Sequence, residues 1–180
     1  MNTSSPLISN YLPRTLEAVV ARASTRYKGI LVTGMRQVGK STMLRRMMGQ
    51  RRYVNLDRFQ VLELARKAPE AFFKQYPLPA LIDEFQRAPN LGVELKAILD
   101  ETDERGLVWL TESHKLGLRQ TVAEALSGRV ASLELFPLSL YELRGTGAEH
   151  KPFLPSGELT RGSLDPLSPE EIWSIIWQGS

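Results

Sequence analysis

The chain has 180 residues, of which 42% are hydrophobic and 24% are charged, and its formal net charge is +3. This length is enough for one domain with a buried core and a small appendage. The absence of cysteine and the presence of only two histidines exclude a disulfide framework and a Cys/His metal site. No apolar run reaches the roughly 18 residues that span a bilayer, and the N-terminus lacks a signal-peptide pattern, so we expect a cytoplasmic protein without a membrane segment.

Strands and helices are predicted to alternate along residues 14–144. The first 13 residues are polar and are expected to form a flexible N-terminus. Short apolar segments predict five strands, at residues 29–33, 52–56, 80–82, 107–111 and 130–136. Helical spacing or helix-start signals predict helices at residues 14–26, 41–49, 59–65 and 69–76, around Leu91, Leu95, Ile98 and Leu99, and around Leu118, Val122 and Leu126. This alternation predicts an α/β fold with a parallel sheet that is covered on both faces.

The turn after the first predicted strand carries a complete phosphate-binding motif, G-x-x-x-x-G-K-[ST]. Its residues are Gly34, Met35, Arg36, Gln37, Val38, Gly39, Lys40, Ser41 and Thr42, all candidate nucleotide-binding residues. Backbone N–H groups at the following helix N-terminus are expected to face an anion. Lys40 is expected to contact the β- and γ-phosphates, and Ser41 to ligate Mg²⁺. The alternative is a glycine-rich turn with Lys40 on a solvated helix end and Arg36 as a solvated loop arginine.

The third predicted strand ends in two acids, Asp83 and Glu84, which is the Walker B pattern. We expect Asp83 to hold Mg²⁺ together with Ser41, directly or through water. Glu84 is the candidate general base, or the residue that orients the attacking water. The alternative is a surface Asp-Glu pair at the end of a strand. A complete strand and helix separate the phosphate loop from Asp83, which is typical of P-loop proteins whose catalytic glutamate follows the Walker B aspartate.

The composition changes after residue 144. Glycines and prolines predict a linker at residues 145–167. Ser168, Pro169 and Glu171 then form a helix start, with Ser at the N-cap, Pro at the first position and Glu at the third. The following residues are more apolar than one exposed helix requires, so residues 168–180 are interpreted as the first helix of a truncated C-terminal domain. The alternative is a helix that packs back onto the core.

Four arginines, Arg45, Arg46, Arg51 and Arg52, cluster where the helix after the phosphate loop ends. The simpler interpretation is that their charges favour the negative end of the helix dipole. The alternative is a nucleic-acid contact, which is weakly supported because no aromatic residues interleave the cluster.

Together these motifs resemble a family of bacterial and archaeal AAA-type ATPases that carry a C-terminal domain of unknown function. The similar segments are residues 33–41, 55–57, 82–89, 126–130 and 137–142, so the resemblance covers about residues 14–144. It implies an AAA-type P-loop NTPase fold, a three-layer αβα sandwich with a five-stranded parallel sheet. It also implies ATP and Mg²⁺ as cofactors, and hydrolysis coupled to a C-terminal module. The alternative function is a nucleotide-gated switch with little or no hydrolysis.

The resemblance also assigns residues outside the two motifs. Thr111 and Ser113 lie at the position of the sensor residue that contacts the γ-phosphate or water, but Glu112 replaces the usual glycine between them. Glu112 either adds negative charge near the phosphates, which would weaken binding or slow turnover, or points away, because side chains alternate along a strand. Arg129 lies at the position of the arginine finger, which would act on a neighbouring subunit of a homo-oligomer; the alternative is a helix-capping arginine. Gln86 is either a nucleotide sensor or a structural amide. The process served and the order of the oligomer are not specified by the sequence.

Overall fold

The computed structural model describes residues 11–113, 125–145 and 167–178. Five parallel strands form one sheet: β1 (Gly29–Gly34), β2 (Arg52–Asn55), β3 (Ala80–Asp83), β4 (Val108–Ser113) and β5 (Val130–Glu134). Their spatial order is β2-β3-β4-β1-β5. The strand that follows β1 along the chain therefore lies at an edge of the sheet, and β4 lies between β1 and β3.

Helices cover both faces of the sheet. They are α1 (Leu16–Ser24), α2 (Lys40–Met47), α3 (Phe59–Lys67), α4 (Pro69–Gln75), α5 (Leu91–Asp100), α6 (Leu140–Leu143) and α7 (Pro169–Gln178), with a 3₁₀ turn at Phe85–Arg87. Alternate side chains of each strand enter two separate cores. Leu31 and Leu110 pack with α3, α4 and α5, whereas Ile30 and Trp109 pack with α1 and α2. The α/β fold with a five-stranded parallel sheet is confirmed.

Most predicted elements are present, with small shifts at their ends. At the centre of the sheet, β4 ends at Ser113, two residues later than the predicted end at Thr111. The reason is its central position, because its pairing with β1 continues to the last register pair, Gly34 with Ser113. β5 ends at Glu134, two residues earlier than predicted, although the Leu135 N–H still donates to the Thr33 carbonyl.

Some predictions fall outside the described residues. These are the predicted flexible N-terminus before residue 11, most of the predicted helix around Leu118 and Val122, and the predicted linker from residue 146 to residue 166. The predicted helix start at Ser168 is present: its hydroxyl accepts from the Glu171 N–H at 3.2 Å, and its own N–H donates to the Glu171 carboxylate at 2.8 Å. Assignment of this helix to a further domain stays a prediction.

Candidate active site

The two sequence motifs meet at the carboxyl ends of the parallel strands, here called the carboxyl edge of the sheet. The phosphate loop leaves β1 at Gly34 and enters α2 at Lys40, and Asp83 is the last residue of β3. β4 lies between these strands and brings Thr111 and Ser113 to the same edge. In open parallel sheets, ligands bind in the crevice at this edge. The fold therefore gathers residues that are up to 79 positions apart, from Gly34 to Ser113.

Glycine is required at both ends of the phosphate loop. Gly34 has a φ of 144°, and a Cβ there would lie 2.3 Å from the carbonyl oxygen of Leu135. Gly39 has a φ of 96° and immediately precedes α2. Side chains at these positions would strain the backbone or force β1 and the segment after β5 apart. The motif glycines thus shape the turn, as the pattern predicts.

Lys40 lies inside the loop and not on a solvated helix end. Its side chain is buried, and its Nζ donates to the carbonyl oxygens of Gly34 at 3.0 Å and Met35 at 2.7 Å. Burial lowers the pKa of Lys40, and the nearby carboxylates of Glu84 and Asp83 oppose that shift. Two main-chain acceptors of the loop therefore hold the ammonium group and satisfy its buried charge.

Asp83 is a buried carboxylate on which three hydroxyl groups converge. Ser41 donates to its Oδ1 at 2.6 Å, Thr111 donates to the same oxygen, and Tyr53 donates to its Oδ2 at 2.8 Å. Burial, followed by the hydrogen bond to Asp83, raises the pKa of Tyr53. These donors supply the hydrogen bonds that a carboxylate needs when it is shielded from water. The carboxylate is thereby held with its Oδ1 beside the Ser41 hydroxyl.

The backbone turns sharply at Glu84, which has a φ of 59° and a ψ of 46°. Its N–H donates to the Thr111 hydroxyl at 2.9 Å, which stabilises this left-handed conformation. Its carboxylate accepts from the Ser113 hydroxyl at 2.7 Å and from the Gln86 amide at 2.5 Å. Thr111 therefore positions both acids of the motif, and Ser113 positions the side chain of Glu84.

The donor set at this edge fits Mg²⁺. Ser41 and Asp83 offer a hydroxyl and a carboxylate oxygen that lie 2.6 Å apart, and hard oxygen ligands are those that Mg²⁺ takes. Within the described parts of the chain, no group of three or more His, Cys, Asp or Glu side chains is placed to hold a metal ion. A cation here would therefore need nucleotide phosphates and water to complete its ligand shell.

A family model described as an AAA domain matches residues 26–144. The chain belongs to the AAA domain family. This match includes the phosphate loop, the strand that ends at Asp83 and the sheet that carries both, so the chain contains a nucleotide-binding domain of the P-loop class. A comparison with curated proteins finds no match.

Glu112, which lies between Thr111 and Ser113 on β4, faces the other side of the sheet. Thr111 and Ser113 both point toward the acids of β3, as their hydrogen bonds show. Because side chains alternate along a strand, Glu112 points to the opposite face, beside Thr33 of β1. The carboxylate of Glu112 therefore does not lie on the face that carries Asp83.

Arg129 lies at the amino ends of the strands, here called the amino edge, whereas the phosphate loop lies at their carboxyl ends. It immediately precedes β5, and its carbonyl accepts from the Gly29 N–H at the start of β1. Its guanidinium forms a two-point ion pair with Asp100, at 2.6 and 2.9 Å, and donates to the Ser127 carbonyl at 2.8 Å. The Asp100 hydrogen bond raises the pKa of Arg129. The structure therefore does not bring Arg129 together with Lys40 and Glu84.

Two residues near the site carry no motif signal. Tyr53 contacts Asp83 from β2, and Arg14 contacts the phosphate loop from the segment before α1. For Tyr53, the sequence offers only the alternation of side chains along a strand. The register places Tyr53 beside Leu81, which lies two residues before Asp83 and on the same face of β3. Arg14 has no comparable sign, because its partners are 24 to 128 positions away.

Three residues of the arginine cluster are engaged with aromatic rings of the domain itself. Arg45 lies over Tyr53 at 4.8 Å, Arg46 over Tyr11 at 4.8 Å and Arg51 over Trp109 at 4.1 Å. Arg51 also donates to the carbonyl of Gly106. These contacts favour a structural role for the cluster. In the described parts of the chain, every helix is too short or too polar to cross a membrane.

Proposed function

We propose that this AAA domain binds and hydrolyses ATP in a Mg²⁺-dependent reaction, at the carboxyl edge of its sheet. The observation that carries the proposal is the convergence of three elements: the buried ammonium of Lys40, the Ser41–Asp83 pair, and the Glu84 carboxylate. Phosphoryl transfer to water needs phosphate cradling, charge stabilisation and a positioned water. Each need has a candidate residue at this edge of the sheet.

Each residue then has a definite task. The loop N–H groups and Lys40 would bind the phosphates, with Lys40 exchanging its carbonyl acceptors for phosphate oxygens. Ser41 and Asp83 would hold Mg²⁺, which neutralises charge on the phosphates when it is bound. Glu84 would accept a proton from the attacking water, or orient that water. Thr111 and Ser113 would keep the acids in place.

A second candidate function is favoured by one contact pattern. Both carboxylate oxygens of Glu84 accept hydrogen bonds, from Ser113 and from Gln86. Each oxygen keeps a second acceptor site for water, but the two partners fix the direction in which that site points. If that direction does not meet the attacking water, the chain would bind ATP and act as a switch, with little hydrolysis.

Assembly is part of the proposal, because Arg129 cannot reach its own site from the amino edge of the sheet. We infer a homo-oligomer in which Arg129 reaches the γ-phosphate of a neighbouring subunit, after exchanging Asp100 for phosphate oxygens. Coupling to a C-terminal module is suggested by α7, where Ile172, Trp173 and Trp177 are exposed. A nucleic-acid partner has weaker support, since three of the clustered arginines are engaged with rings.

The test is phosphate release from Mg·ATP over a range of protein concentrations, with Glu84→Gln as the diagnostic variant. Specific activity is expected to rise with concentration and to fall by about 10²–10⁴-fold in Glu84→Gln, with ATP binding retained. Glu101→Gln, the same change at an exposed residue at the end of α5, is the matched control. ATP binding without phosphate release at any concentration would support the switch and refute hydrolysis by this chain.

A further inference from the structure

Arg14 is a buried arginine that joins three separate segments at the phosphate loop. Its side chain is 5% exposed. Its Nη1 donates to the carbonyl oxygen of Val38 in the loop at 2.8 Å, and its Nη2 donates to that of Phe136, after β5, at 2.7 Å. Its Nε lies 3.2 Å from the Glu142 carboxylate. A single guanidinium thus contacts the loop, the chain after β5 and the start of α6.

The contact with Val38 determines the direction of a backbone donor. A trans peptide unit is planar, so its C=O and N–H groups point in opposite directions. The carbonyl of Val38 accepts from Arg14, and the N–H of the same peptide unit, which belongs to Gly39, therefore points away from Arg14. In a loop of this type, the backbone N–H groups cradle the nucleotide phosphates. Gly39 has a φ of 96° and immediately precedes α2.

Glu142 fixes Arg14 from the other side. The Glu142 carboxylate accepts from the backbone N–H groups of Thr15 at 2.7 Å and Ser139 at 2.8 Å, in addition to its ion pair with Arg14. The Ser139 hydroxyl in turn accepts from the Glu142 N–H, which completes a capping box on α6. Glu142 is itself buried. Arg14 is therefore held by a carboxylate that has little freedom to move.

We propose that Arg14 is a positioning residue that orients the Gly39 N–H toward the nucleotide phosphates, and that Glu142 makes this orientation depend on α6. A displacement of α6 would then loosen the loop without touching Lys40 or Asp83. The inference rests on the proposed function only in requiring that nucleotide phosphates bind in the loop.

The experiment compares ADP binding to Arg14→Lys and to the full wild-type chain, by calorimetry in the presence of EDTA so that no metal contributes. A lysine keeps the charge that faces Glu142 but cannot donate to Val38 and Phe136 in the same fork geometry. Loss of a charged hydrogen bond that orients the loop is expected to weaken ADP binding by about ten- to a hundredfold. Arg22→Lys, at an exposed position of α1, is the matched control and is expected to bind ADP as the wild type does.

A spectroscopic readout separates positioning from a general structural role. The amide resonance of Gly39 is expected to shift on ADP addition in the wild type and in Arg22→Lys, and to shift much less in Arg14→Lys. Glu142→Gln, which leaves the guanidinium in place, is expected to show a smaller loss in the same two measurements. The double variant carries both Arg14→Lys and Glu142→Gln. Its loss of ADP affinity is expected to be no larger than that of Arg14→Lys alone, because both changes act through one contact.

Several outcomes would overturn the proposal. ADP binding by Arg14→Lys that equals binding by Arg22→Lys would show that the loop needs no orientation by Arg14. If the losses of ADP affinity in Arg14→Lys and Glu142→Gln add up in the double variant, Glu142 does not act on the loop through Arg14. If Arg14→Lys does not fold, an unchanged Gly39 shift in Glu142→Gln decides against the proposal. A wild-type chain that fails to bind ADP would overturn the proposed function as well.

Discussion

The carboxyl and amino edges of the sheet differ in the burial of their charged side chains. At the carboxyl edge, Asp83 is buried and accepts hydrogen bonds from Ser41, Thr111 and Tyr53. At the amino edge, Asp100 and Arg129 form an ion pair that faces solvent. Buried polar groups are costly to leave unpaired, whereas exposed ion pairs exchange partners with little loss. One edge is therefore built to keep its geometry, and the other is built to change partners.

The largest expected effect comes from removing the charge at the amino edge. Arg129→Ala is expected to lower ATP turnover by about 10³-fold or more, because an arginine that contacts the transferring phosphoryl group stabilises its charge. ATP affinity in the dilute chain is expected to remain unchanged, since Arg129 lies away from its own site. Phosphate release and nucleotide binding, measured on the same preparation, check both statements.

A mixing experiment provides the control for action between subunits. Arg129→Ala keeps an intact Glu84, and Glu84→Gln keeps an intact Arg129. Mixing the two inactive variants is therefore expected to restore part of the turnover, since a complete site forms where they meet. Restoration would also establish that subunits assemble. Turnover by Arg129→Ala that equals the wild type would leave Arg129 with its structural contacts to Asp100 and Ser127 alone.

At the carboxyl edge, the next largest effect is on stability. Thr111→Val preserves shape but removes a hydroxyl that donates to Asp83 and accepts from the Glu84 N–H. The buried Asp83 carboxylate and the partly buried Glu84 N–H each lose a partner, so the free energy of unfolding is expected to fall by about 1–3 kcal/mol. Urea unfolding of the nucleotide-free chain measures this. Thr42→Val, the same change at an exposed position of α2, is expected to have little effect, and equal losses in both variants would contradict the network.

The sequence predicts the residues of the motifs better than their partners. The placement of Lys40, Asp83 and Glu84 after their strands could be predicted, because the strand–loop–helix context and the paired acids occur within short segments. Tyr53 and Arg14 could not, because their contacts depend on strand register and on the path of residues 11–15 across the loop. The alternation of side chains offers two orientations for Glu112, and the continuation of β4 to Ser113 decides between them. Local chemistry is thus readable from sequence, whereas long-range hydrogen bonds require the assembled sheet.

A buried carboxylate near the phosphate loop is expected to give acid sensitivity. Burial raises the pKa of Glu142, but hydrogen bonds from the Ser139 and Thr15 N–H groups and the contact with Arg14 outweigh it, so that the pKa is lowered overall. A lowered pKa means that the stabilisation is complete above the ordinary value of 4.5 and is lost as pH falls through the folded-state value. Glu142→Gln is expected to be less stable at neutral pH and to show a shallower loss of stability below about pH 4.5.

Unfolding free energies from urea titrations between about pH 7 and about pH 3 test this expectation. The control is Glu101→Gln, whose carboxyl group is exposed. Parallel stability curves for the wild type and Glu142→Gln would show that Glu142 does not contribute to the acid dependence.

The smallest expected effect is at the exposed ion pair. The hydrogen bond from Arg129 lowers the pKa of Asp100, yet the pair lies at the surface, where water competes for both charges. Asp100→Asn is therefore expected to leave the thermal unfolding midpoint within experimental error, in contrast to Thr111→Val. A clear loss of stability would mean that the pair holds Arg129 in place as part of the fold. An unchanged midpoint would agree with an arginine that is free to exchange Asp100 for a phosphate of a neighbouring subunit, because the chain then loses nothing when the pair opens.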